Sequence, residues 1–141
     1  MTEWLKVKKL SSDAVIPSYA HSTDAGLDLY STEDVIILPG GVKKVSTGLA
    51  FEIPPDCFGS LRDRSSMASK GVIVGGGVID SGYRGEVKVV LINVSNTPLS
   101  CSKGSKIAQM IVQPYSQVKI LVKDDLKPSS RGNKGFGSSG V

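Results

Sequence analysis

Apolar and polar side chains alternate in short runs along this chain, and 16 glycines and 7 prolines separate one run from the next. Alternation with a period of two marks a strand with one buried face. Runs of this kind predict strands at Trp4–Leu10, Val35–Leu38, Val42–Ile53, Cys57–Arg62, Val87–Val94 and Ile107–Gln113. Another spans Tyr115–Lys127, with Val118, Ile120 and Val122 on one side. Valine and isoleucine number 26 against 17 leucines and alanines, a bias toward strand. The best helix candidate is brief, Ser65–Lys70, and ends at Gly71. Short strands with turn signals between them predict an all-β sandwich or barrel.

A chain of 141 residues suits a single domain and holds a core without metals or disulfides. With 40% hydrophobic and 21% charged residues it is not a disordered chain. No run approaches the roughly 20 apolar residues of a membrane-spanning helix. Met1 to Leu10 lacks a signal-peptide core, so a cytoplasmic protein is expected, with the nucleus open to a chain of this size. The net charge of +4 is local: residues 127–141 carry Lys127, Arg131 and Lys134 and no acid. The rest is nearly neutral, and aromatics are only 6%, which argues against a nucleic-acid stripe. The expected organisation is a single β domain over 1–126 and a flexible Gly/Ser-rich lid over 127–141.

Two cysteines and one histidine remove whole reaction classes. Cys57, Cys101 and His21 hardly suffice for a zinc site, and the cysteines read as reduced and structural. Acid–base work should then fall to carboxylates, with a hard cation as the metal.

Four polar segments gather the chemistry: 22–31, 62–70, 75–86 and 131–140. Gly135 to Gly140 fits a Gly-x-Gly-x-x-Gly fingerprint, but only Val141 follows in this chain, so no helix supplies the dipole that a dinucleotide site needs. Its glycines and Arg131 could still wrap phosphate, and Phe136 could stack on a base; an unstructured tail is the alternative. Arg62-Asp63-Arg64-Ser65-Ser66 offers phosphate donors, or else a loop pairing its own charges. In Gly75–Gly85, five glycines permit close backbone approach to a ligand, and Asp80 follows Val78 and Ile79 at a strand end. Asp80 is a candidate general base or an Asx-turn residue. Asp28, between Leu27 and Leu29, is a candidate metal-shell group or a solvated strand position.

Taken in order, these segments resemble the five motifs of the homotrimeric dUTP pyrophosphatases (dUTPases). The matching stretches are Asp24–Leu29, Arg64–Ala68, Gly77–Gly85, Gly104–Met110 and Arg131–Gly140. The resemblance implies a jelly-roll-like β fold, a homotrimer with active sites at subunit interfaces, and Mg²⁺-dependent hydrolysis of dUTP to dUMP and pyrophosphate. That reaction keeps uracil out of DNA and supplies dUMP for dTMP synthesis. The resemblance makes Asp80 the base that activates water for in-line attack on the α-phosphorus. Tyr83 would pack on the deoxyribose and exclude a 2′-hydroxyl. The Gly77, Val78, Ile79, Ser81 and Gly82 backbone, with Lys88 nearby, would meet the uracil. Arg64, Ser65, Ser66 and Gln109 would hold phosphates, and Asp28 would orient waters on Mg²⁺. Arg131 would grip the γ-phosphate while Phe136 covers the uracil, with Gly137 and Ser138 beside them. Neither nucleic acid nor membrane is required.

Four positions depart from the usual motifs. Asp63 stands where proline is usual, Ser66 where glycine is, Gly82 where an acid often occurs and Ser139 where threonine is frequent. Asp63 near a triphosphate is expected to need neutralisation by Arg62. The related dCTP deaminases carry a glutamate where Val90 stands, which removes the proton relay of that reaction. A nucleotide-binding protein without turnover is the remaining rival.

Overall fold

The computed structural model describes residues 3–140. Eleven strands and one short helix follow in order: β1 (Lys6–Lys9), β2 (Leu27–Tyr30), β3 (Val35–Ile37), β4 (Val42–Ser46), β5 (Leu49–Glu52), β6 (Cys57–Arg62), α1 (Ser65–Ala68), β7 (Val72–Gly75), β8 (Val78–Ile79), β9 (Lys88–Asn93), β10 (Leu99–Cys101) and β11 (Lys106–Pro114). They form four antiparallel sheets, with strand orders β1-β5, β10-β3, β2-β11-β6-β8 and β4-β9-β7.

The alternation does what the pattern predicts where a strand has one face inward. Leu27 and Leu29 of β2 are buried while Asp28 between them is half-buried, and Val89, Leu91 and Asn93 of β9 point into the same interior. One hydrophobic core joins these residues to Ile37, Val45, Leu49, Phe51, Leu61, Ile107 and Met110. A bulge between Lys106 and Ala108 lets both Ile107 and Ala108 face inward, and it resets the register so that Gln109 stands opposite Asp28.

Several expected boundaries move. The run Val42–Ile53 is two strands, because Thr47 and Gly48 turn between them with Gly48 at φ +67°. A Cβ on Gly48 would lie 2.9 Å from the Ala14 Cβ, so the turn requires glycine there. The helix is shorter than expected, Ser65–Ala68, and β1 is shorter at both ends. Strands β7, β8 and β10 lie in stretches where glycines or short length concealed the alternation.

The largest correction concerns Tyr115–Lys127. This segment is not a strand within the chain. Val118, Ile120, Leu121 and Val122 are 75% or more exposed. Alternation reports that a segment suits a pleated, half-buried environment, and here no strand among the described residues supplies one.

Both cysteines are free thiols, Cys101 buried and Cys57 partly so. Burial pushes the Cys101 thiol up from its ordinary value, with only a small opposing effect of Lys70. Asn93, which begins the sequence Asn-Val-Ser, is fully buried. Its amide donates to the carbonyls of Ile37 and Thr97 at 2.9 and 2.8 Å, and its oxygen accepts from Ser95. It serves as an internal brace with no free valence.

Candidate nucleotide site

The hairpin from Gly76 to Glu86 is seated by contact between backbones. The Leu61 N–H donates to the Gly77 carbonyl at 2.7 Å, and a Cβ on Gly77 would lie 2.6 Å from the Leu61 oxygen. Only glycine permits that approach, and it brings β8 against β6 with Ile79 opposite Gly59. Asp80 follows directly and closes a turn by accepting from the Tyr83 N–H at 3.1 Å. Arg84 then clasps the turn by donating to the Ser81 and Tyr83 carbonyls at 2.6 and 3.3 Å. Its guanidinium also lies 3.6 Å from Glu52, whose other oxygen takes the Lys6 ammonium at 2.5 Å. The Lys6 hydrogen bond and charge hold the Glu52 carboxyl below its ordinary value against the opposing desolvation, with the smallest share from Arg84.

Behind this hairpin lies a pocket of about 380 Å³, within the range of a small-molecule site. Val78, Ile79, Asp80, Tyr83 and Lys88 line it, as do Lys44, Glu86, Val87 and Val90. Ser81 and Gly82 face a different hollow, of about 440 Å³, beside Trp4, Pro54 and Pro55. The Tyr83 ring folds back over Gly85, where a Cβ would stand 2.5 Å from its hydroxyl oxygen. That hydroxyl donates to the Glu86 carbonyl at 2.8 Å. Glu86 and Lys44 carry no motif signal. Lys44 reaches the pocket because it stands opposite Val90 across β4 and β9, a relation set by tertiary pairing.

A second polar group crosses the four-stranded sheet. Gln109 on β11 stands opposite Asp28 on one side and Arg62 on the other. Its amide donates to the Asp63 carbonyl at 2.9 Å. Arg64 donates to the Lys106 carbonyl at 3.3 Å, and the Lys106 ammonium lies 3.0 Å from Asp28. Ser65 and Ser66 are exposed at the start of α1, which at four residues is too short to develop much of a dipole.

Asp63 pairs with neither arginine. Its carboxylate accepts the Val74 backbone N–H at 2.5 Å, while Arg62 turns away to the Ser60 hydroxyl at 2.9 Å. Arg62 therefore does not neutralise Asp63, whose carboxylate makes a structural bond to β7 instead.

Neither the loop pocket nor the sheet row includes a residue of the tail. Arg131 donates to the Lys134 carbonyl at 2.8 Å, and the other hydrogen bonds of Arg131–Gly140 are equally local. Phe136 is fully exposed, with φ 53°. Within one chain, then, Asp80, Tyr83 and Lys88 are gathered in one pocket. Asp28, Arg64 and Gln109 cluster on the sheet, and Arg131, Phe136, Gly137 and Ser138 stand apart.

No group of three His, Cys, Asp or Glu side chains suited to a metal exists among the described residues. Asp28, already paired with Lys106, is one carboxylate on the sheet row that holds Gln109. This donor set fits a hard cation carried chiefly by phosphate oxygens and water, and does not fit a cage made by the protein.

The dUTPase family pattern matches residues 12–140. A deoxyuridine 5′-triphosphate nucleotidohydrolase of Clostridioides difficile is 48% identical over 139 residues, covering 96% of this chain and 97% of that protein. The protein of the same name from Nautilia profundicola is also 48% identical, over 96% of this chain and 98% of its own length. The dUTPase of Staphylococcus bacteriophage 80alpha, solved with dUpNHpp, superposes with a TM-score of 0.92 at 31% identity, over 99% of this chain and all of that one. The architecture is accordingly the jelly-roll-like β fold. Matched from residue 12 almost to its end, and close to half identical to these relatives along nearly its whole length, the chain belongs to the dUTPase family.

Proposed function

We propose that the protein hydrolyses dUTP to dUMP and pyrophosphate in a homotrimer whose sites are completed between subunits. The observation that carries this reading is the pocket holding Asp80, Tyr83 and Lys88, whose lining in this chain includes neither Arg64 nor Gln109. A nucleoside in the pocket of one copy would need the phosphate-facing row of another. The arm Tyr115–Lys127, with Val118, Ile120 and Val122 exposed, supports association, since its alternating apolar residues suit a pleated, half-buried environment that the described residues of this chain do not supply.

In the proposed reaction Asp80 accepts a proton from water as the water oxygen attacks the α-phosphorus. The bond from that phosphorus to the bridging oxygen breaks in line, and pyrophosphate leaves with the electron pair. Arg64, Ser65, Ser66 and Gln109 position the phosphates. Displacement at phosphorus needs positioning and charge neutralisation more than covalent help. Mg²⁺ carried by the triphosphate would neutralise charge, with Asp28 orienting its waters. The segment 127–141 acts as a lid: Arg131 binds the γ-phosphate, Phe136 covers the uracil, and Gly137 and Ser138 contact phosphate oxygens. Closure excludes competing water. The product would serve dTMP synthesis in the cytoplasm, and removal of dUTP would keep uracil out of DNA.

The test is pyrophosphate release from dUTP, dCTP, dTTP and UTP in parallel, with Mg²⁺ and with excess chelator. Release from dUTP alone, lost on chelation, is expected. Binding of dUTP without release under any condition would leave a nucleotide-binding protein in place of the enzyme.

A further inference from the structure

Tyr83 is 46% exposed, so packing alone does not fix its ring. Two contacts restrain it: the face of Gly85 and the hydrogen bond from its hydroxyl to the Glu86 carbonyl at 2.8 Å. The second works only if that carbonyl is itself held. The Glu86 side chain supplies the hold by reaching the turn between β4 and β5, where its Oε2 accepts from the Ser46 hydroxyl and, at 3.0 Å, from the Gly48 N–H. A side-chain oxygen that accepts from two donors at once is a strong anchor. The next residue doubles it: the Val87 N–H donates to the Leu49 carbonyl at 2.8 Å, and the Thr47 hydroxyl donates to the Val87 carbonyl at 2.5 Å. The turn is a fixed point, because Gly48 packs on Ala14 at a backbone angle that admits glycine.

We infer that Glu86 is a positioning residue for sugar selection: by pinning its own backbone to the Ser46–Gly48 turn it fixes the Tyr83 ring against the nucleoside. The inference rests on the reading of Tyr83 as the ribose-facing side chain. Rejecting an added hydroxyl by steric contact requires a wall that does not yield, and a pocket that gives by a fraction of an ångström discriminates poorly. Glu86 makes the wall stiff without needing to touch the sugar.

The experiment measures kcat and KM for dUTP and UTP in the wild type, E86A, E86Q, Y83F, Y83A and the E86A/Y83F double variant, with Tm for each. E86A is expected to lower the dUTP-to-UTP ratio of kcat/KM by about tenfold, chiefly through KM. E86Q, whose amide oxygen can accept both donors, is expected to recover most of that loss. Y83F removes the hydroxyl bond through which Glu86 acts, so the double variant should be no less selective than the worse single one. A loss of Tm in E86A with both substrates slowed equally would overturn the inference. So would an unchanged ratio in E86A beside a lowered one in Y83F. If Y83F leaves the ratio unchanged while Y83A lowers it, the hydroxyl bond does not fix the ring and this inference fails; if Y83A also leaves it unchanged, the assignment of Tyr83 to the ribose fails as well. Should E86A not fold, S46A removes one of the two donors: a lowered ratio supports the role of Glu86, and an unchanged one refutes it.

Discussion

Gly26 lies so close against Gln109 that a Cβ there would overlap the amide oxygen and stand 3.0 Å from the Gln109 Cβ. The glycine is a cradle for the side chain that ties β11 to Asp63. Gly26→Ala must displace Gln109 or shift β2. We expect a stability loss of about 1–3 kcal/mol, typical of overpacking. A several-fold rise in KM for dUTP should accompany it if Gln109 holds phosphate. Thermal melts and steady-state kinetics on one preparation read both effects.

Asp63 occupies a position where this family usually has proline, yet its carboxylate accepts the Val74 N–H. Asp63→Ala leaves that half-buried donor without its partner, at a cost of about 1–3 kcal/mol. Asp63→Asn keeps an acceptor and should melt close to the wild type. Because the carboxylate is committed to β7, neither change should improve KM for dUTP by more than about twofold. A tenfold improvement in Asp63→Ala would show that the charge repels substrate after all.

Asp80→Asn preserves size and turn geometry while removing the basic oxygen. Binding of dUTP measured by calorimetry should stay within a few-fold of wild type, and turnover should fall by at least about 10², the usual contribution of a positioned base. Full turnover would remove Asp80 from the mechanism.

Deleting residues 131–141 removes Arg131 and Phe136 but leaves the core untouched. Light scattering should report the same assembly as the full chain, while pyrophosphate release is lost. An active deletion variant would refute the lid.

Glu52, held below its ordinary carboxyl value first by Lys6, links β1 to the hairpin through Arg84. A depressed pKa means that the native state favours the ionised form, so the stabilisation is present at neutral pH. It is complete above the ordinary value of 4.5 and fades as pH falls through the lower folded value. Glu52→Gln should therefore melt slightly below wild type at pH 7, with the difference shrinking in strong acid and in high salt. A difference that grows as pH falls would contradict this sign.

The sequence exposed the strand-rich character because apolar residues alternate with polar ones in β2, and β-branched residues are dense in β9 and β11. It also exposed the glycine-rich loops, since positions such as Gly77 tolerate nothing larger. What it concealed came from relations across the fold. The split at Thr47–Gly48 depends on Ala14 packing below. The bond from Asp63 to Val74 links a loop to a strand that glycines had masked. Glu86 sits one residue beyond a motif and gains its role from Ser46, forty residues earlier. Tyr115–Lys127 has a strand's pattern, but pattern states only what environment a segment prefers, not which chain provides it.

The separation of the Asp80 pocket from the Gln109 row has a genetic consequence. In an assembly whose sites are shared between copies, a lesion does not stay with the chain that carries it. An allele damaged at Gln109 would spoil a neighbour's site while keeping its own pocket whole, and so would act dominantly over a normal copy. Two alleles damaged in different parts could instead restore one another, because mixed assemblies would contain some sites built only from sound pieces.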